Sequence, residues 1–206
     1  MQYNLDLEKI SLHDYKELLK KQNLLPGRRI LLDDIDERFS LLLNHGISNV
    51  LELRKALSAS KKITVLSSQT GIPEDYLVIL KREAGSLEQK PIPLDNFPET
   101  DSELIFSLNQ EGIKTSKDYF ELKKPFDEML YCLCDLVRIN GVGPAAARAF
   151  FEAGYKSVMD VANADATQML SAVSKVNEQK QYYKAKLGVK DMQFCIDFAT
   201  VLIKLS

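Results

Sequence analysis

The sequence predicts an all-α fold, with short helices arranged as tandem helical hairpins in two small domains. Three observations carry this reading. Apolar residues recur at helical spacing along the chain, as in Leu12, Tyr15, Leu18 and Leu19, in Phe39, Leu42 and Leu43, and in Tyr76, Leu77, Ile79 and Leu80. Strand-like sequence is nearly absent, because Ile63-Thr64-Val65-Leu66 is the only β-branched run and it leads into a helical pattern. A glycine-centred segment also recurs three times in one register.

The 206 residues carry 27 Lys plus Arg against 29 Asp plus Glu, and 45% are hydrophobic. Such a composition suits one or two globular domains and excludes the disordered and collagenous classes. No apolar run approaches the roughly 18 residues of a membrane span, and Met1 to Ile10 has neither the basic nor the apolar region of an export signal. The expectation is a cytoplasmic protein with no membrane partner. A net charge of −2 supplies no general field for nucleic acid, so any phosphate binding has to be local.

From the N-terminus, Ser11 and Asp14 have the spacing of a capping box, which makes His13 a surface residue of a first helical turn. His45, just before Gly46, suits the exposed carbonyls at the end of a helix. Between Gly85 and Thr100, Pro91, Pro93 and Pro98 exclude a helix interior and predict a proline-rich linker over residues 87–100. It separates an N-terminal domain, residues 1–86, from a C-terminal domain, residues 101–206. Basic and acidic side chains balance closely on both sides of it.

The repeat aligns Leu42-Leu43-Asn44-His45-Gly46-Ile47 with Leu108-Asn109-Gln110-Glu111-Gly112-Ile113 and with Phe150-Phe151-Glu152-Ala153-Gly154-Tyr155. Each copy reads as a helix closed by a left-handed glycine, an apolar residue folding back on the last turn, and a new short helix. Val50 and Leu53 then correspond to Val158 and Val161, with Ser116 and Tyr119 in the middle copy. Gly71-Ile72-Pro73 and Gly188-Val189-Lys190 each precede a further helix, so each half reads as two successive hairpins.

Ahead of the third repeat glycine, Leu136, Ile139, Gly141, Val142, Gly143, Ala147 and Phe150 fill every position of a pattern that resembles the helix-hairpin-helix motif. Physically, Gly141 and Gly143 allow a tight turn with bare backbone, Val142 plugs the space between two helices, Ala147 lets them cross closely, and Pro144 starts the second helix. N–H groups at that helix start can face a phosphate oxygen. The resemblance implies a grip on the DNA sugar-phosphate backbone without base reading, through Gly141, Val142, Gly143 and Ala145, with Arg138, Arg148 and Lys156 as supporting cations.

The chain departs from that family at two points. Members that bind DNA often carry Lys or Arg after the proline, where this chain has Ala145-Ala146-Ala147, and Arg148 is the nearest cation of that helix. In the other copies the turn aligns with Glu99-Thr100-Asp101-Ser102 and with Asp33-Asp34-Ile35-Asp36, whose carboxylates repel phosphate. Over residues 30–86 and 130–206 the chain resembles a bacterial and archaeal family of tandem helix-hairpin-helix repeats of unassigned function.

No enzymatic chemistry is legible. Cys132, Cys134 and Cys195 are odd in number, and the first two are two residues apart, pointing about 200° from each other on a helix. They read as structural thiols, and no metal or cofactor is implied. Lys175, Lys180, Lys184, Lys186 and Lys190, interleaved with Tyr182 and Tyr183, read as a solvated face, as do Arg28-Arg29 and the cluster of Arg54-Lys55 with Lys61-Lys62. Ser58, Ser60, Ser67 and Ser68 read as caps and turns. Two functions follow: a non-enzymatic module binding DNA weakly through the Gly141 turn, or a protein-interaction scaffold whose hairpins are packing units.

Overall fold

A computed structural model describes residues 2–22 and 24–205, which form two compact units. The first unit is residues 6–88, and the second is residues 89–204 together with residues 2–5. The fold is all-α. Among the described residues, β pairing is confined to two isolated bridges, Ser11 with Asn49 and Pro93 with Thr115.

In the first unit, α1 (Leu12–Lys21), a 3-10 turn (Pro26–Leu32), α2 (Ile35–Asn44), α3 (Val50–Ala56), α4 (Ser60–Thr70) and α5 (Glu74–Gly85) follow one another. The capping half of the Ser11 box forms, with the Asp14 N–H donating to Ser11 Oγ at 3.0 Å, and the hydroxyl, in place of the Ser11 N–H, donates to the Asp14 carboxylate at 2.6 Å. His13 and His45 are exposed, and His45 closes α2. Residues 63–66 are helical, within α4. Helix α5 packs on α3, α4 and the 3-10 turn. It buries Tyr76, Leu77 and Leu80, and the Tyr76 hydroxyl donates to the Leu31 carbonyl at 3.1 Å.

The second unit holds α6 (Ser102–Gln110), α7 (Ser116–Phe120), α8 (Glu128–Leu136), α9 (Pro144–Glu152), α10 (Val158–Ala162), α11 (Ala166–Lys180) and α12 (Val189–Leu205). The stretch expected as a linker contributes residues 89–100 to this unit. Leu94–Asn96 is a 3-10 turn with Leu94 and Phe97 buried beside it. The Leu94 N–H donates to Lys114 O at 2.9 Å, and the Ser116 N–H donates to Ile92 O at 2.7 Å. Three prolines forbid a helix here, but they leave an extended strip free to anchor two apolar side chains and pair its remaining backbone groups.

The three repeat copies share one local structure. Gly46, Gly112 and Gly154 have φ of +86°, +85° and +96°. After each, the next residue's N–H folds back onto a carbonyl in the last turn of the preceding helix: Ile47 to Leu42 O at 3.1 Å, Ile113 to Leu108 O at 3.0 Å, Tyr155 to Phe150 O at 2.9 Å. Two residues later stands a cap whose side chain accepts the N–H three residues on: Asn49 from Glu52, Thr115 from Asp118, Ser157 from Asp160. Those acids accept backbone N–H groups in return, from Ser48, from Lys114 and Thr115, and from Lys156. The apolar fold-back was legible in the sequence, whereas this reciprocal cap adds a second lock to each copy.

No neighbouring atom lies within 4 Å of a Cβ built on Gly154, so Gly154→Ala tests backbone conformation alone. It should cost about 1–2 kcal/mol in urea denaturation, the penalty for a left-handed L-residue. An unchanged midpoint would mean that the turn relaxes.

Candidate functional site

The turn between α8 and α9 begins where Val137 closes α8, and the N–H groups of Arg138 and Ile139 fold back on Asp135 O and Leu136 O, both at 3.1 Å. Gly141 is exposed at φ +86°, and a Cβ there would sit 3.7 Å from Phe194 Cε1 of α12. Glycine is required at that point by conformation. Gly143 differs: it is the N-cap of α9 at φ −86° and ψ 176°, an extended geometry open to any residue, and nothing lies within 4 Å of a built Cβ. What its missing side chain changes is the helix end, since α9 has no side-chain cap. Pro144 has no N–H to satisfy, which leaves the N–H groups of Ala145 and Ala146 as the first-turn donors.

The middle copy supplies an internal comparison. Glu99 occupies the register of Gly141 and is also left-handed, at φ +55°. Two residues on, Asp101 occupies the register of Gly143, and its Oδ1 accepts the N–H groups of Glu103 at 2.8 Å and Leu104 at 3.4 Å. Those donors correspond to Ala145 and Ala146. A carboxylate oxygen therefore sits in the middle copy where α9 is left bare. In the first copy the left-handed residue is Asp34, one position later than the alignment places it, and it is itself the N-cap of α2; its side chain caps no helix N–H and instead accepts from Arg38 at 3.4 Å.

Other members of the predicted set have internal duties. Val142 is buried between the helices, and its N–H donates to Ile139 O at 3.0 Å, so it offers a ligand nothing. Arg138 is 3% exposed, which corrects its assignment as a phosphate cation. Its Nε donates to Tyr3 O at 2.9 Å, its guanidinium lies 4.5 Å from the Phe120 ring centroid, and it pairs with the Asp135 carboxylate. The other Asp135 oxygen accepts the Val158 N–H at 2.8 Å, at the start of α10. Burying the arginine is what holds that acceptor in place.

Arg148 is corrected in the same way. Its Nε donates to Glu152 Oε1 at 2.9 Å and its Nη2 to Glu99 Oε2 at 3.2 Å. Tyr182 donates to both carboxylates, at 2.7 Å to Glu152 and 2.9 Å to Glu99. Desolvation, followed by the Glu152 carboxylate, pushes the Tyr182 phenol up to about 12. The sequence pattern puts Tyr182 on a solvated face; in the structure Glu99, Arg148, Glu152 and Tyr182 form one closed network. Lys156 alone of the three expected cations is exposed, with its Nζ 5.4 Å from the Phe151 ring centroid.

Helices α8 and α9, joined through Gly141-Val142-Gly143, and then α10 and α11 after Gly154, define a tandem helix-hairpin-helix unit. Residues 135–180 match the family model described as a SAM-like helix-hairpin-helix tandem. That match does not extend to residues 30–86 and does not identify the repeat family of unassigned function that the wider sequence resembles. No curated protein and no solved structure gives a significant match. Among the described residues, no helix is long and apolar enough to cross a membrane.

Arg138→Ala leaves a mostly buried Asp135 carboxylate without its cation and should destabilise the chain by about 3 kcal/mol in urea denaturation. A variant as stable as the parent would return Arg138 to the list of surface cations.

Proposed function

We propose that this is a non-enzymatic module whose turn at Gly141, Gly143 and Ala145 contacts the sugar-phosphate backbone of nucleic acid, weakly and without reading sequence. One observation carries the reading: the middle copy fills its helix start with the Asp101 carboxylate, and the third copy leaves the same donors bare by placing Gly143 there. Anionic oxygen suits such donors, and a phosphate oxygen can take the place that Asp101 takes internally. Weakness follows from charge, because Lys156 is the exposed member of the expected cations and phosphate affinity comes largely from cations.

The non-enzymatic half of the proposal is supported by the thiols. Burial raises Cys132 and Cys134 and pushes Cys195 up to about 12, which keeps all three protonated and poorly nucleophilic. Free cysteines also suit a reducing compartment, and a cytoplasmic location is part of the same proposal. The scaffold reading draws support from Arg138 and Arg148, whose charges serve internal packing. A partner recovered after nuclease treatment, and retained by a Gly143 variant, would favour it.

The test is fluorescence anisotropy with short duplex DNA of unrelated sequences. Affinity should be equal among sequences and should fall with a log–log salt slope of about −1 to −2, as one or two phosphate contacts require. Gly143→Asp should abolish binding while stability stays level or rises by about a few tenths of a kcal/mol, since the new carboxylate caps α9 as Asp101 caps α6. Binding that ignores salt, or a Gly143→Asp variant that binds like the parent, would overturn the proposal.

A further inference from the structure

Two surfaces away from the turn have complementary chemistry. In the first unit, Lys61, Val65 and Gln69 form one ridge of α4, and Val65 is 52% exposed. Beside that ridge an open groove of about 500 Å³ reaches the end of α3 and the α2–α3 turn. Ile47, Ala56 and Leu66 make it apolar, and its charged lining residues are Lys55, Lys61 and Lys62. The Lys62 ammonium donates to Lys55 O at 3.1 Å, a contact that fixes it without neutralising it. Among the described residues, none of the three lysines forms an ion pair.

Helix α6, in the second unit, carries the opposite pattern. Phe106 is 67% exposed on a face that also holds Glu103. The hollow next to it has Asp95 and Glu99 as its charged lining residues. Glu99 is shared with Arg148 and Lys180, whereas Asp95 and Glu103 form no ion pair among the described residues.

We propose that the lysine-rimmed groove of one copy receives the Phe106 face of α6 from a second copy of this chain. The exposed Phe106 ring and the exposed Val65 side chain beside the groove are each unfavourably hydrated, and burying them together removes both from water. The charge signs set the orientation: lysines flank the groove and carboxylates flank the ring. Length also fits, since the 11 residues of α4 span about 16 Å and the nine of α6 about 13 Å. Nucleic acid suits the groove less well, because its floor is aliphatic and His45 is the one aromatic ring among its lining residues.

Sedimentation velocity on the full chain tests this, from roughly 5 to 500 µM, the span expected of a small interface. The parent should self-associate with rising concentration, and added salt should shift the midpoint upward. Val65→Glu and Phe106→Glu change exposed side chains, so circular dichroism should show both folded, and each alone should remain monomeric. Mixed together they should pair, because one variant keeps its α6 face and the other keeps its groove. Gly143→Asp should associate like the parent, which separates this interface from the turn. A parent that stays monomeric throughout, either variant associating normally, or a mixture that fails to pair would overturn the proposal.

Discussion

Helices as short as α7 and α10, five residues each, cannot sustain themselves by propagation, because the cost of nucleating a turn is recovered over many more residues. Their ends therefore have to be satisfied from outside, and that requirement organises both units. The left-handed glycine brings the preceding helix to a stop, the cap side chain takes the N–H of the third residue of the next one, and the apolar residue between them folds back on the helix just ended. Among the first-turn donors left after this is the N–H of the first helical residue. Ile10 O accepts it from Val50, and Ile92 O accepts it from Ser116. The proline-rich strip is ordered for this reason: it gives the middle copy what residues 10–12 give the first.

No extended strip serves the third copy in this way. The Asp135 carboxylate replaces the carbonyl, accepting from Val158, and the paired Arg138 keeps that carboxylate oriented. A residue that motif comparison assigns to the ligand thus belongs to the scaffold that shapes the turn. Tyr3 joins the same arrangement, accepting from Arg138 through its carbonyl while its hydroxyl lies 2.7 Å from Ser116 Oγ, so the chain's beginning and two of the three copies converge on one buried cluster.

The parts of this architecture that were legible in the sequence are those where backbone geometry restricts residue identity. A φ near +86° selects glycine, and Gly46, Gly112 and Gly154 gave the repeat its register on that basis. The Ser11 box was readable because both partners lie within one turn. The same local logic was present in Asn49, Thr115 and Ser157, each followed three residues on by an acid, and it could have been read. Partners distant in sequence were not legible: Glu99 and Arg148 are 49 positions apart, and nothing in either neighbourhood anticipates the pair. Exposure of Phe106 and Val65 was hidden as well, since apolar residues at helical spacing read as core until a neighbour is found missing.

The middle turn alters the electrostatics of the turn that follows it. Replacing a left-handed glycine by Glu99 carries a conformational cost and installs a carboxylate beside a helix end. That carboxylate now reaches Arg148, the cation of α9. An arginine of the third copy is thereby held in an internal network with Glu152 and Tyr182. Under the proposed function, the turn that remains bare would act through backbone N–H groups, which favour any anionic oxygen of the right size and have no means of telling one base from another.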